Sequence, residues 1–203
     1  WDATPADKPQ PGIPATPKAP PASASKSVPF DEKTARVLEA ETTPTKMVFE
    51  HGGRRTAKIA TSPVRFKDAS GRWVDYDLNI VARPDASLGA KAAPKAATLG
   101  AKADGGVVTV GTSAGPVVVR HPGAAPAAAA AAAAEAAYPK ALSGGRDIRI
   151  ALTPDGFEES VIVPDAGSGG SYTEELVLPA GVIVRDAKEG IELVDRAGAV
   201  IAA

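Results

Sequence analysis

The sequence predicts an all-β fold, an antiparallel β-sandwich or set of paired sheets made of many short strands, led by a disordered proline-rich arm. Three observations carry this. Val74, Tyr76, Leu78 and Ile80 alternate with Asp75, Asp77 and Asn79, the period-two pattern of a half-buried strand. Apolar runs of this kind recur along the chain, separated by Gly-, Pro-, Asp- and Ser-containing breaks at the spacing of sandwiches. Aromatic residues make up only 4% of the chain, and much of its 44% hydrophobic fraction is alanine. Alanine buries little area, so a core must be assembled from many Val, Ile and Leu side chains.

Taken in order, residues 1–29 form a Pro/Ala/Ser/Lys mixture that favours extended polyproline II and resists packing. Residues 30–44 contain FDEKTARVLEA, which predicts a short helix started by Asp31, or a linker. Such a helix is marginal unless it docks on something else. Residues 45–203 are the β-rich module. Strands are expected over 45–81, broken at His51-Gly52-Gly53 and Asp68-Ala69-Ser70-Gly71, with one of them running from Val74 to Ile80. Low-complexity loops are expected at 82–104 and 122–137. Between them GVVTVGTSAGPVVVR predicts a Val-rich hairpin whose turn, Thr112 to Gly115, is longer than the two-residue kind. The homopolymer Ala127 to Ala134 allows a short helix by propensity, but its place between strand segments favours a loop. Ile148, Ile150 and Leu152, a Thr153-Pro154-Asp155-Gly156 turn and five later apolar runs complete about nine or ten strands.

Lys and Arg number 23 against 24 Asp and Glu, interspersed, for a net charge of −1. No one-signed field is therefore expected to draw nucleic acid or an anionic membrane. The chain has no apolar run of the roughly twenty residues that a membrane helix needs. Cysteine is absent, which removes disulfides, thiolate metal sites and cysteine nucleophiles together. Trp1 in place of an initiator Met reads as a processed or trimmed chain.

The residues that could carry chemistry are few. His51 and His121 stand seventy residues apart beside turn residues and read as exposed loop histidines without converging partners. Ser143 in ALSGG and Ser168 in GSGGS lie in no nucleophile elbow, and GSGGS lacks the lysine and helix of a phosphate loop. Glu158/Glu159 and Glu174/Glu175 are adjacent on strands and so point to opposite faces. Asp75 and Asp77 share a face; they read as a solvated surface, with a calcium site as the alternative. No catalytic, cofactor or metal residue is assigned, and the chain is read as no enzyme. Trp73 and Tyr76 read as core, the indole closing one end of the sandwich, so that Trp73→Ala is expected to cost about 3–5 kcal/mol. An exposed Trp73 would instead suit a sugar ring.

Two stretches are more specific. In TTPTKMVFEHGGRRTAKIATSPVRFKDASGRWVDYDLNI, the residues Pro63, Val64, Phe66, Asp68, Gly71, Trp73, Tyr76 and Asp77 form a Pro-Val pair, an aromatic, an Asp-x-x-Gly-x-Trp turn and a Tyr-Asp strand. In YPKALSGGRDIRIALTPDGFEESVIV, the carriers are Tyr138, Pro139, Leu142, Asp147, Ile148, Gly156, Glu158, Glu159, Val161, Ile162 and Val163. In this order the two stretches resemble the amino-terminal region of large secreted actinobacterial proteins carrying Rhs/YD repeats or DNRLRE domains. The resemblance implies a secreted or cell-surface, structural role near the front of a polymorphic toxin or wall-associated protein. The partner it implies is the remainder of the same polyprotein, the Rhs/YD-repeat shell. A cell-wall or carbohydrate-binding module is the alternative.

Overall fold

The computed structural model describes residues 29–94, 97–165, 167, 170–188 and 190–202. Residues 1–28, nearly all of the proline-rich arm, lie outside the described residues. The fold is all-β, and among the described residues every strand pairing is antiparallel.

Residues 31–35 close one turn, in which the Thr34 and Ala35 N–H groups donate to the Asp31 carbonyl at 3.3 and 2.9 Å. The chain then extends as β1 (Arg36–Val37), makes a 3-10 turn at Glu39–Glu41, and continues into β2 (Lys46–His51) and β3 (Arg54–Ile59). The expected helix is thus corrected to a turn and an edge strand. A segment this short does not recover the cost of helix nucleation, whereas pairing Val37 with Phe49 adds it to a ladder that β2 already offers. Strands β4 (Arg65–Lys67) and β5 (Trp73–Asp75) form a separate two-stranded sheet, and β6 (Asp77–Ala82) enters the sandwich. The single strand expected from Val74 to Ile80 is therefore broken at Tyr76, whose N–H donates to the Val64 carbonyl at 3.0 Å.

The remaining strands are β7 (Leu88–Ala92), β8 (Thr98–Leu99), β9 (Val108–Thr112), β10 (Gly115–Arg120), β11 (Ala130–Ala132), β12 (Glu135–Leu142), β13 (Arg146–Thr153), β14 (Gly156–Ile162), β15 (Glu175–Val177), β16 (Ile183–Ala187), β17 (Gly190–Val194) and β18 (Val200–Ala202). A six-stranded sheet in the order β15-β10-β9-β8-β7-β6 packs on a four-stranded sheet β11-β12-β13-β14. Leu99, Val107, Val108 and Val119 from the first meet Tyr138, Ile148, Ile150 and Leu152 from the second in one core. A three-stranded sheet β16-β17-β18 adds a smaller core in which Leu193 and Val182 meet Val117 of β10.

Both loops expected from composition contain strands. In 82–104, Ala90, Ala97 and Leu99 are buried, and a Cβ at Gly89 would lie 2.4 Å from the Arg83 guanidinium. That guanidinium in turn donates to Thr98 Oγ1 at 3.0 Å. The small residues there mark close packing rather than a loop. In 122–137, the alanine run forms β11 and a two-residue turn at Ala133-Ala134, since Ala132 pairs with Glu135. Ala136 is fully buried. Helix propensity is a weak prior that tertiary pairing overrides: β11 hydrogen-bonds β12, and the Ala133 carbonyl accepts the Ile80 N–H from the other sheet at 2.7 Å. Ala133 takes a positive φ of 51°, a conformation that penalises a Cβ. Ala133→Gly is expected to raise stability by about 0.5–1 kcal/mol, read as a higher urea midpoint at unchanged slope. The β9–β10 turn is also shorter than expected, with two residues, because Thr112 pairs with Gly115 and its hydroxyl donates to the Gly115 carbonyl at 2.7 Å.

Candidate functional site

The ends of three sheets enclose a groove of about 760 Å³, within the range of ligand and side-chain pockets. The β9–β10 hairpin supplies Val110 and Val117, the start of β14 supplies Phe157, β15 supplies Leu176, and β17 and β18 supply Ile191, Leu193 and Ile201. Period-two alternation sends Ile191 and Leu193 to the same face of β17, where Leu193 is buried and Ile191 remains 47% exposed. Thr112, Ser113, Thr153 and Asp155 line the same groove, contributed by the β9–β10 and β13–β14 turns. A second hollow of about 590 Å³ lies among β2, β3, β4 and β5, but two ion pairs, Lys58–Glu32 and Arg65–Asp75, are formed by residues lining it.

The motif residues of the first stretch build the β4–β5 unit. Asp68 accepts the backbone N–H groups of Ser70 and Arg72 at 2.9 and 3.0 Å and the Ser70 hydroxyl at 2.6 Å. These bonds, the Ser70 hydroxyl first, bring its carboxyl down to about 2. Gly71 occupies the left-handed region at φ 81°, which the turn requires of it. Phe66 and Tyr76 pack ring on ring at 5.2 Å. Pro63 and Val64 lead into the unit, Val64 45% exposed. Asp75 and Asp77 fall in different sheets, Asp75 paired with Arg65 and Asp77 with Lys91 at 3.1 Å, so they do not form the shared face expected of them. Among the described residues no group of three or more acidic or histidine side chains is placed to hold a metal ion.

Trp73 belongs to neither core cluster and does not close the sandwich. It is partly exposed, its Nε1–H donates to the Glu39 carbonyl at 3.3 Å, and Lys67 Nζ lies 5.2 Å from its ring centre. A ring held this way still covers the β4–β5 unit, but Trp73→Ala is now expected to cost about 1–2 kcal/mol, below the range for core truncation. Urea unfolding checks this.

The second stretch is explained by a bulge. Tyr138 is fully buried, and its hydroxyl donates to the carbonyls of Gly100 and Val107 at 2.8 and 3.2 Å. The register of β12 on β13 then shifts between Tyr138 and Leu142. Pro139, without an N–H, stands in the bulge; Lys140 adopts φ 51°, and its N–H is taken by the Asp147 carboxylate at 2.8 Å. Leu142 returns to the core. Gly156 closes the β13–β14 turn opposite Thr153, Glu158 is exposed, and Glu159 faces inward.

Glu159 meets His121, and here the sequence reading is corrected. His121 is not an exposed loop residue: its side chain is wholly buried, Nε2 is 2.7 Å from Glu159 Oε1, and Nδ1 is 3.2 Å from the Thr173 carbonyl. Tyr172 lies against the imidazole, ring centres 5.8 Å apart. Burial raises the Glu159 carboxyl above its ordinary value; His121 opposes that rise, and the Glu174 charge adds to it. The signal was present in the alternation. His121 is two residues beyond Val119 and four beyond Val117, both inward, and Glu159 stands between Phe157 and Val161, both packed on the core. His51 is half-buried, with Nε2 3.3 Å from the Thr34 hydroxyl. Ser143 Oγ accepts from Arg146 at 3.1 Å, and Ser168 lies outside the described residues.

Comparison with protein-family models, with curated proteins and with solved structures gives no match. Among the described residues no helix is long and apolar enough to cross a membrane.

Proposed function

We propose that this chain is a non-catalytic interaction module of a larger secreted or cell-surface bacterial protein, and that it docks apolar side chains of its partner in the groove at the end of the sandwich. The observation that carries this is the groove itself: apolar walls from three sheets, and Ile191 half exposed on one of them. Exposed apolar side chains gathered at one place mark contact surfaces more often than scattered ones do. Val184 adds to it, since its pairing with Leu193 puts it on the same face of the terminal sheet as Ile191, 47% exposed. The resemblance of the two motif stretches nominates the partner, the Rhs/YD-repeat shell of the same polyprotein, which this module would pack on, plug or anchor.

Co-purification with a separately expressed repeat shell tests the reading. Ile191→Glu places a charge in the groove from an already exposed position, so the fold is expected to persist while capture falls at least tenfold. Capture unchanged by Ile191→Glu, or no capture at micromolar concentration, refutes it. The second reading, a cell-wall or carbohydrate-binding module, rests on the partly exposed Trp73 ring. Peptidoglycan binding that is lost in Trp73→Ala and kept in Ile191→Glu would replace the first reading with the second.

A further inference from the structure

The segment from Gly170 to Val177 is held to the sandwich by three side chains of different character. Arg146, itself buried, donates to the carbonyls of Gly170 and Ser171, each at 3.3 Å. Arg120 forms a two-pronged ion pair with Glu175 at 2.8 and 3.0 Å. His121, between them, reaches the Thr173 carbonyl with Nδ1 and Glu159 with Nε2.

Both ring nitrogens of His121 face oxygen acceptors, and this fixes the proton count. A carbonyl accepts only, so Nδ1 must carry hydrogen. The Nε2 contact then needs one more proton, either on the ring, giving imidazolium against carboxylate, or on Glu159, giving imidazole against carboxylic acid. Without that proton, the lone pair of a fully buried imidazole nitrogen faces a carboxylate whose side chain is only 12% exposed. Glu159 Oε2 is buried without a hydrogen-bond partner, so nothing there compensates a full negative charge.

We propose that the His121–Glu159 pair is a proton-dependent clasp: while the shared proton is present it holds the Tyr172–Val177 segment on the sandwich, and its loss on raising the pH frees that segment. Arg146 then acts as the permanent tether at Gly170 and Ser171, which makes the release local. The groups facing the pair agree with this direction. Glu159 comes from β14, and Glu174 from the segment itself places a second negative charge nearby; both favour retention of the proton. Tyr138 from β12 feels the charge of the same carboxyl, and Tyr172 of the segment lies against the imidazole. Arg120 is turned to Glu175. The rise of the Glu159 carboxyl means that its contribution is present at low pH and is lost as the pH climbs through the folded-state value. Opening withdraws β15 from the edge of β10 and takes Leu176 out of the groove wall. The clasp is tested on the segment alone, whether or not the groove binds a partner.

Amide hydrogen exchange of Thr173 to Val177, corrected for intrinsic base catalysis, is measured on the full chain from pH 5 to 9. The His121 imidazole is followed by NMR, with His51→Gln assigning the two histidines. The expected result is a loss of protection of at least tenfold as the pair gives up its shared proton, while the amides of Ile148 and Ile150 stay protected. Glu159→Gln is the decisive control. The Gln amide group can donate to an unprotonated Nε2 or accept from a protonated one, so the segment should stay closed and the pH step should vanish. Protection that does not change with pH, or a step of parental size in Glu159→Gln, overturns the proposal.

Discussion

Tyr138→Ala is expected to cost about 3–5 kcal/mol, the largest effect of any single truncation among the described residues, because it empties the largest of their fully buried side-chain sites. The ring lies between the two principal sheets, so the surroundings can collapse only by moving a sheet. Tyr138→Phe keeps the packing but leaves the carbonyls of Gly100 and Val107 without this donor, for about 1–2 kcal/mol. Burial, with a smaller part from the Glu159 charge, holds the phenol up at about 12. A raised value means that its stabilising effect is whole below the ordinary tyrosine range and fades only as the pH climbs to that of strong alkali. Urea titrations of both variants at neutral pH check the ranking. An alanine variant within about 1 kcal/mol of the parent would remove Tyr138 from the centre of the core.

Arg146→Lys is expected to cost about 2–3 kcal/mol despite conserving charge. The guanidinium serves four acceptors at once, with Nε donating to the Ser143 carbonyl at 2.8 Å and its two Nη groups reaching Ser143 Oγ, Gly170 and Ser171. A lysine ammonium offers three hydrogens at one point and cannot span that fork. It would give up part of the fork's hydrogen bonds from a buried charged group, each worth about 1.5–3 kcal/mol. Urea unfolding again provides the number, and a Lys variant within about 0.5 kcal/mol of the parent contradicts the assignment.

How much of this was legible in the sequence depends on side-chain size. The Val108–Arg120 and Arg146–Ile162 hairpins were visible because large β-branched residues alternate there and turn residues separate them. Strands β7, β8 and β11 were not, because alanine and glycine carry almost no periodic hydrophobic signal even when Ala90 and Ala97 are buried. Their pairing is a main-chain matter decided by neighbours. The Val74–Ile80 alternation was correctly seen, yet nothing in it reveals the break at Tyr76, which depends on the Val64 carbonyl. The motif residues were located without their purpose: Asp147 looks like one more surface acid until the bulge frees the Lys140 N–H that it accepts. His121 and Glu159 are 38 positions apart, and only the fold brings them together, though their inward alternation marked both as buried.

The alanine hairpin has a consequence for how this gene can vary. Its first strand pairs through backbone groups alone, and its residues Ala130, Ala131 and Ala132 are all exposed and chemically identical. Sliding the strand by two residues keeps alanine at all three ladder positions, anchored downstream where Glu135 lies 3.7 Å from Arg149. The upstream end of the tract is less permissive: Ala127 and Ala129 pack on the core and bond Ala103 and Ala101, and a tract shortened by two alanines would bring Pro126 in among them. Replication slippage in this tract is therefore absorbed at the ladder and limited where the tract meets the core.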